Sequence, residues 1–143
     1  MIMKYLKINN WEDELEIIEL KQQNSEYEGC AFIFNGNFYR ARMAKLTPKK
    51  KGVFVAVWQK GIDGKNEPYE VTDPNERLLI CVQDGNLRGI FDFPSNILES
   101  KGIYQSKNSK GKMGFRLYPS WNQALNETAQ KSQKWQNQYF TQL

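Results

Sequence analysis

Gly52-Val53-Phe54-Val55-Ala56-Val57-Trp58-Gln59 is the stretch on which the fold turns. Its six middle residues are all apolar, with no alternation of polar and apolar positions. A run of that kind belongs to a strand covered on both faces, so it predicts the centre of a sheet. Upstream, residues 28–34, the pair Asn35-Gly36 and residues 38–46 form a hairpin signal, because Asn-Gly supplies the positive φ angles of a type I′ turn. Thr47-Pro48 closes its second strand. Further upstream, Asn9 and Asn10 precede Trp11-Glu12-Asp13-Glu14, an N-cap followed by acidic residues that suit a helix start. Trp11, Leu15 and Ile18 recur at helical spacing, which predicts a helix near 11–25.

Downstream of the run, residues 61–75 hold Asp63-Gly64, Pro68 and Pro74 and read as a long loop. Residues 77–83 and 87–93 make a second hairpin around Asp84-Gly85-Asn86, ended by Pro94 before a short helix at 95–100. A lysine- and glycine-rich loop at 107–112 leads into a last short strand at 115–118. Beyond Pro119, Trp121, Leu125, Thr128, Ser132, Trp135 and Tyr139 share one helical stripe, which predicts a closing helix over 120–141. The sum is an α+β fold: one domain over 1–143, with a mixed β-sheet of five or six strands flanked by N- and C-terminal helices.

The composition is that of a globular chain of 143 residues, 40% hydrophobic and 13% aromatic. No stretch reaches the roughly 18 apolar residues of a membrane span, and the first ten residues lack a signal core, so a cytoplasmic location without membrane insertion is expected. Cys30 and Cys81 sit in apolar strand-like runs and read as buried free thiols. The chain has no histidine, which excludes Ser-His and Cys-His nucleophiles and His-held metals together. Two cysteines cannot build a structural zinc site, and no cofactor or metal is implied. Net charge is +4 and the pI near 9.0, a balance that favours acidic partners such as nucleic acid.

Period-two alternation puts Arg40 and Arg42 on one strand face, spaced to grip adjacent phosphate oxygens, and Lys45, Lys49, Lys50 and Lys51 extend a basic patch. Lys107, Lys110 and Lys112, with Gly111, Gly114 and Arg116, make a second basic segment. It lacks the strand, loop and helix context of a phosphate loop, so nucleotide hydrolysis of that type is not expected. In the closing helix Gln136 falls inside the apolar stripe, with Gln133 at its edge. A buried amide needs partners, either sheet backbone or a planar polar ligand.

These residues resemble the MepB-like family, small bacterial proteins named for a gene beside a multidrug exporter. The resemblance runs from Tyr27 to Phe140 and rests on quoted motifs. They include Arg42-x-Ala44-Lys45-x-Thr47-Pro48-x-Lys50-x-Gly52-x-Phe54-Val55-x-x-Trp58, Gly89-x-Phe91-x-Phe93-Pro94, Gly111-Lys112-x-Gly114-x-Arg116-x-Tyr118-Pro119-x-Trp121 and Gln133-x-Trp135-Gln136-x-x-Tyr139-Phe140. Ser95 and Met113 stand where the family usually carries basic residues. The resemblance implies a core similar to that of restriction endonucleases, which by itself assigns no function. A nuclease of that fold needs an acidic-x-Lys on an apolar strand; the three occurrences here read otherwise, with Glu19-x-Lys21 in the expected first helix, Asp63-x-Lys65 in a loop and Glu99-x-Lys101 after a short helix.

The expected function is therefore binding of a phosphate-bearing ligand such as DNA or RNA, without catalysis. Arg40, Arg42, Lys45, Lys50, Lys112 and Arg116 supply the charge, and Gln133 and Gln136 the orientation. Arg42, Lys45, Arg116 and Gln136 are expected to converge on one concave site. Two alternatives stand beside this reading. One is a magnesium-dependent nuclease or phosphodiesterase using Glu28 with Asp73; the other is a protein-interaction module linked to efflux, which the resemblance alone suggests.

Overall fold

The computed structural model describes the backbone of residues 15–20 and the whole of residues 29–143. In chain order the strands are β1 (Leu15–Leu20), β2 (Cys30–Phe34), β3 (Asn37–Met43), β4 (Lys45–Leu46), β5 (Val53–Ala56), β6 (Trp58–Lys60), β7 (Asn66–Pro68), β8 (Glu76–Asp84) and β9 (Leu87–Pro94). Helix α1 (Ser95–Ser100), β10 (Gly114–Leu117), helix α2 (Glu127–Gln136), a 3-10 turn (Asn137–Tyr139) and β11 (Phe140–Gln142) complete the described elements.

A six-stranded mixed sheet of order β1-β2-β3-β8-β9-β11 forms the body. Its β3–β8 pair is parallel and its other pairs are antiparallel. Both predicted hairpins are present. Asn35 and Gly36 have φ of 51° and 75°, as a type I′ turn requires, and Gly85 has φ 61° between β8 and β9. The 38–46 strand divides at Ala44: β3 stays in the large sheet, whereas β4 pairs with β5.

The sheet centre is not 53–58. β5 is the middle of a separate three-stranded sheet, β10-β5-β4, and the strand covered on both faces is β8. Leu78, Ile80 and Val82 enter one core with Val53, Val55, Phe91, Phe93 and Leu117. Leu79 and Cys81 enter a second core with Cys30, Phe32, Tyr39 and Ala41. The three-stranded sheet thus lies over one face of the large sheet, and Val55 and Val57 are fully buried between them.

Two helix expectations fail. Within the predicted 11–25 helix, Leu15–Leu20 is a strand paired with β2; the rest of that range lies outside the described residues. A bulge between Ile17 and Glu19 interrupts the register of β1 with β2, and Glu19, expected in a helix, lies on this strand. The closing helix covers only Glu127–Gln136 of 120–141. It begins where the Asn126 side chain accepts from the Ala129 N–H, and Phe140–Gln142 leaves it to pair with β9.

Gly52 enters β5 with φ +83°, and a Cβ there would lie 2.6 Å from the Leu117 carbonyl oxygen and 2.8 Å from the Tyr118 ring. Gly36 has a similar φ of +75° with nothing within 4 Å. Gly52→Ala should therefore cost about 2–4 kcal/mol in urea unfolding, and Gly36→Ala only about 1–2 kcal/mol, the backbone share alone. Cys30 supplies a second prediction: burial pushes its thiol from 9.0 up to about 11, with Arg42 nearby opposing the shift. A thiol kept protonated in the fold stabilises fully below the unfolded value and loses that contribution as pH climbs through the folded one. Stability should fall more steeply between pH 9 and 11 in the parent than in Cys30→Ala, as thermal melts across that window would show.

Candidate functional site

Strand β10 carries Arg116 on the outer face of the three-stranded sheet, in one cross-strand row with Phe54 and Lys45. Two grooves flank Arg116 and Tyr118. One, of about 260 Å³, has Lys101, Lys112, Trp135 and Gln136 in its walls. The other, of about 470 Å³, has Lys50, Lys51 and Asn126. Among the described residues no carboxylate lines either groove. Arg116 Nη1 donates to Thr47 Oγ1 at 2.7 Å and to the Lys51 carbonyl at 3.1 Å, which fixes the guanidinium while Nε and Nη2 remain as further donors. Lys51 Nζ is committed to the Gln123 and Ala124 carbonyls at 3.0 and 2.7 Å, so it secures the loop before α2. The Lys101 ammonium lies 5.2 Å from the Trp135 ring centre.

The two glutamines build these walls from within. Gln136, 1% exposed, accepts from the Tyr118 N–H at 2.9 Å and donates to the Arg116 carbonyl at 2.9 Å. Gln133 Nε2 donates to the Pro119 and Asn122 carbonyls. Asn137 adds a bond to the Tyr118 carbonyl. Their amides are occupied by backbone, so α2 is tied to β10 and the two residues that both grooves share are held in place.

Arg40 and Arg42 stand elsewhere, beside Leu78 and Ile80 on the core face of the large sheet. Arg42 is 3% exposed, and Nη1 donates to the Ala41 carbonyl while Nη2 donates to Tyr69 Oη. Its guanidinium lies against Gly29, where a Cβ would come within 2.6 Å of Nη1. Arg40 pairs with Glu76 Oε1 and sits 4.4 Å from the Tyr69 ring centre. Tyr104 packs on Tyr69 with ring centres 5.8 Å apart, and its burial raises the hydroxyl far above the ordinary tyrosine range, so it stays a neutral donor.

The residues predicted to converge therefore separate in part. Arg116 and Gln136 share a groove, Lys45 shares the outer sheet face with Arg116, and Arg42 lines neither groove. Glu28 lies outside the described residues. The Asp73 carboxylate accepts from the Asn75 N–H at 2.8 Å, an exposed turn contact. Among the described residues no three His, Cys, Asp or Glu side chains are grouped to hold a metal ion. No described helix is long and apolar enough to cross a membrane. Lys101 and the shared Tyr118 escaped the sequence reading: Lys101 follows a short helix, and only the fold carries it to Lys112. Glu76 carried one signal, an acidic residue at the mouth of an apolar strand.

A family model described as MepB-like matches residues 21–142. A crystal structure of MepB is similar to this chain, with 40% identity and a TM-score of 0.87, over 98% of this chain and 94% of that one. No curated protein matches.

Replacing the buried amide tests its structural role. Gln136→Leu leaves the Tyr118 N–H and Arg116 carbonyl without side-chain partners, at about 1–3 kcal/mol each, so a total loss of about 2–6 kcal/mol is expected in urea unfolding.

Proposed function

The chain belongs to the MepB-like family, and from its surface we propose that it binds a phosphate-bearing polymer, DNA or RNA, without cleaving it. The observation that carries this is the pair of grooves meeting at Arg116 and Tyr118, lined by Lys50, Lys51, Lys101 and Lys112 and, among the described residues, by no carboxylate. Cations gathered without acidic partners attract a polyanion and gain from counterion release. Lys50, Lys112 and Arg116 make the phosphate contacts in this reading. Gln133 and Gln136 act one step back, as the struts that fix Arg116 and Tyr118. Arg40 and Arg42 belong to the interior support of the sheet. The mixed sheet with its parallel β3–β8 pair supports carrying the restriction-endonuclease-like core in the same proposal, as a scaffold for binding.

The test is binding of short labelled single- and double-stranded oligonucleotides over a salt series. Affinity should fall linearly with log salt, and Lys50→Ala, Lys112→Ala and Arg116→Ala should each lower the slope by about 0.7–0.9. No binding at about 50 mM salt, or a slope that none of the three changes, would overturn the proposal.

A further inference from the structure

Three polar atoms in the interior cluster lack a hydrogen-bond partner among the described residues: Arg42 Nε, Glu76 Oε2 and Tyr104 Oη. Their residues are 3%, 1% and 0% exposed, so solvent at the surface does not serve them. They differ in what they need. Arg42 Nε–H can only donate, an ionised Glu76 Oε2 can only accept, and the Tyr104 hydroxyl does both. Glu76 Oε1 is paired with Arg40 rather than with Arg42. Tyr69 links the three residues: its ring centre lies 5.8 Å from that of Tyr104 and 4.4 Å from the guanidinium of Arg40, the partner of Glu76, and its hydroxyl accepts from Arg42 Nη2. Each of the three, left without a partner, would carry the desolvation cost of a buried polar group.

We infer that this cluster holds an internal water, which donates to Glu76 Oε2 and accepts from both Tyr104 Oη–H and Arg42 Nε–H. The donor and acceptor requirements select the ligand class. A small anion would satisfy Arg42 and Tyr104 but meet the free carboxylate oxygen of Glu76; a cation would satisfy Glu76 but meet two guanidiniums. A neutral molecule that both donates and accepts serves all three, and a water needs only two to four such partners. The water joins the β3–β8 pair to the segment after α1. Tyr104 stands there between Ile103, whose carbonyl accepts from the Lys112 N–H, and Gln105, whose N–H donates to the Tyr69 carbonyl.

A high-resolution crystal structure of the full chain tests this directly. One compact density peak within about 2.6–3.2 Å of at least two of the three atoms, Glu76 Oε2 among them, is the expected result. Direct bonding between Tyr104 and Glu76 with no peak, or density shaped as a planar or tetrahedral ion, overturns it. Hydrogen exchange supplies the second readout. In Tyr104→Phe, which removes one partner and keeps the ring, the Gln105 and Lys112 amides should exchange on the order of tenfold faster, with the hairpin amides of β2 unchanged. Exchange at Gln105 and Lys112 that matches the parent overturns the link.

Discussion

A polar group enclosed by a core must find partners, and in this chain that requirement connects segments that are far apart in sequence. Gln136 is the clearest case. Its one amide satisfies both the Tyr118 N–H and the Arg116 carbonyl, and so docks α2 on β10 at the point where the two basic grooves meet. The Arg40–Glu76 pair joins β3 to β8, and the Arg40 and Arg42 contacts with Tyr69 hold the long 61–75 excursion to that pair. Breaking a buried pair by removing one member leaves the other desolvated and unpaired, which makes such contacts strong constraints on geometry even where their net gain is small.

Local chemistry made much of the fold legible. Asn35-Gly36 dictates its turn through backbone angles alone, and Pro94 followed by Ser95 marks the end of a strand and the start of α1. The sheet centre was not decidable in the same way, since Val53–Val57 and Leu78–Val82 are both continuous apolar runs. Only packing separates them: β8 is flanked by two full-length partners, whereas β5 has short ones. The helix ends failed for two further reasons. A bulge interrupts the register of β1, whose Leu15 and Ile18 also fit helical spacing, and a tertiary pairing drew Phe140–Gln142 into a strand although the stripe ran on in helical spacing.

The site divides along the line between buried and exposed charge. Sequence spacing correctly placed Arg40 and Arg42 on one face, but could not tell that this face points into the core beneath Tyr69. Lys112 and Arg116 were readable as a basic segment; that they face Lys101 on one side and Lys50 on the other follows from the docking of α2. The outer charges are hydrated and adaptable, which suits phosphate contacts, while the inner ones are committed.

Backbone amide chemical shifts followed during titration with a short oligonucleotide test that division most directly. The account predicts perturbations at residues 50–52, 101, 112 and 116–118 and around Asn126, and none at Arg42, Tyr69 and Glu76. Perturbations centred on Arg42, Tyr69 and Glu76, with the groove residues unmoved, would contradict it.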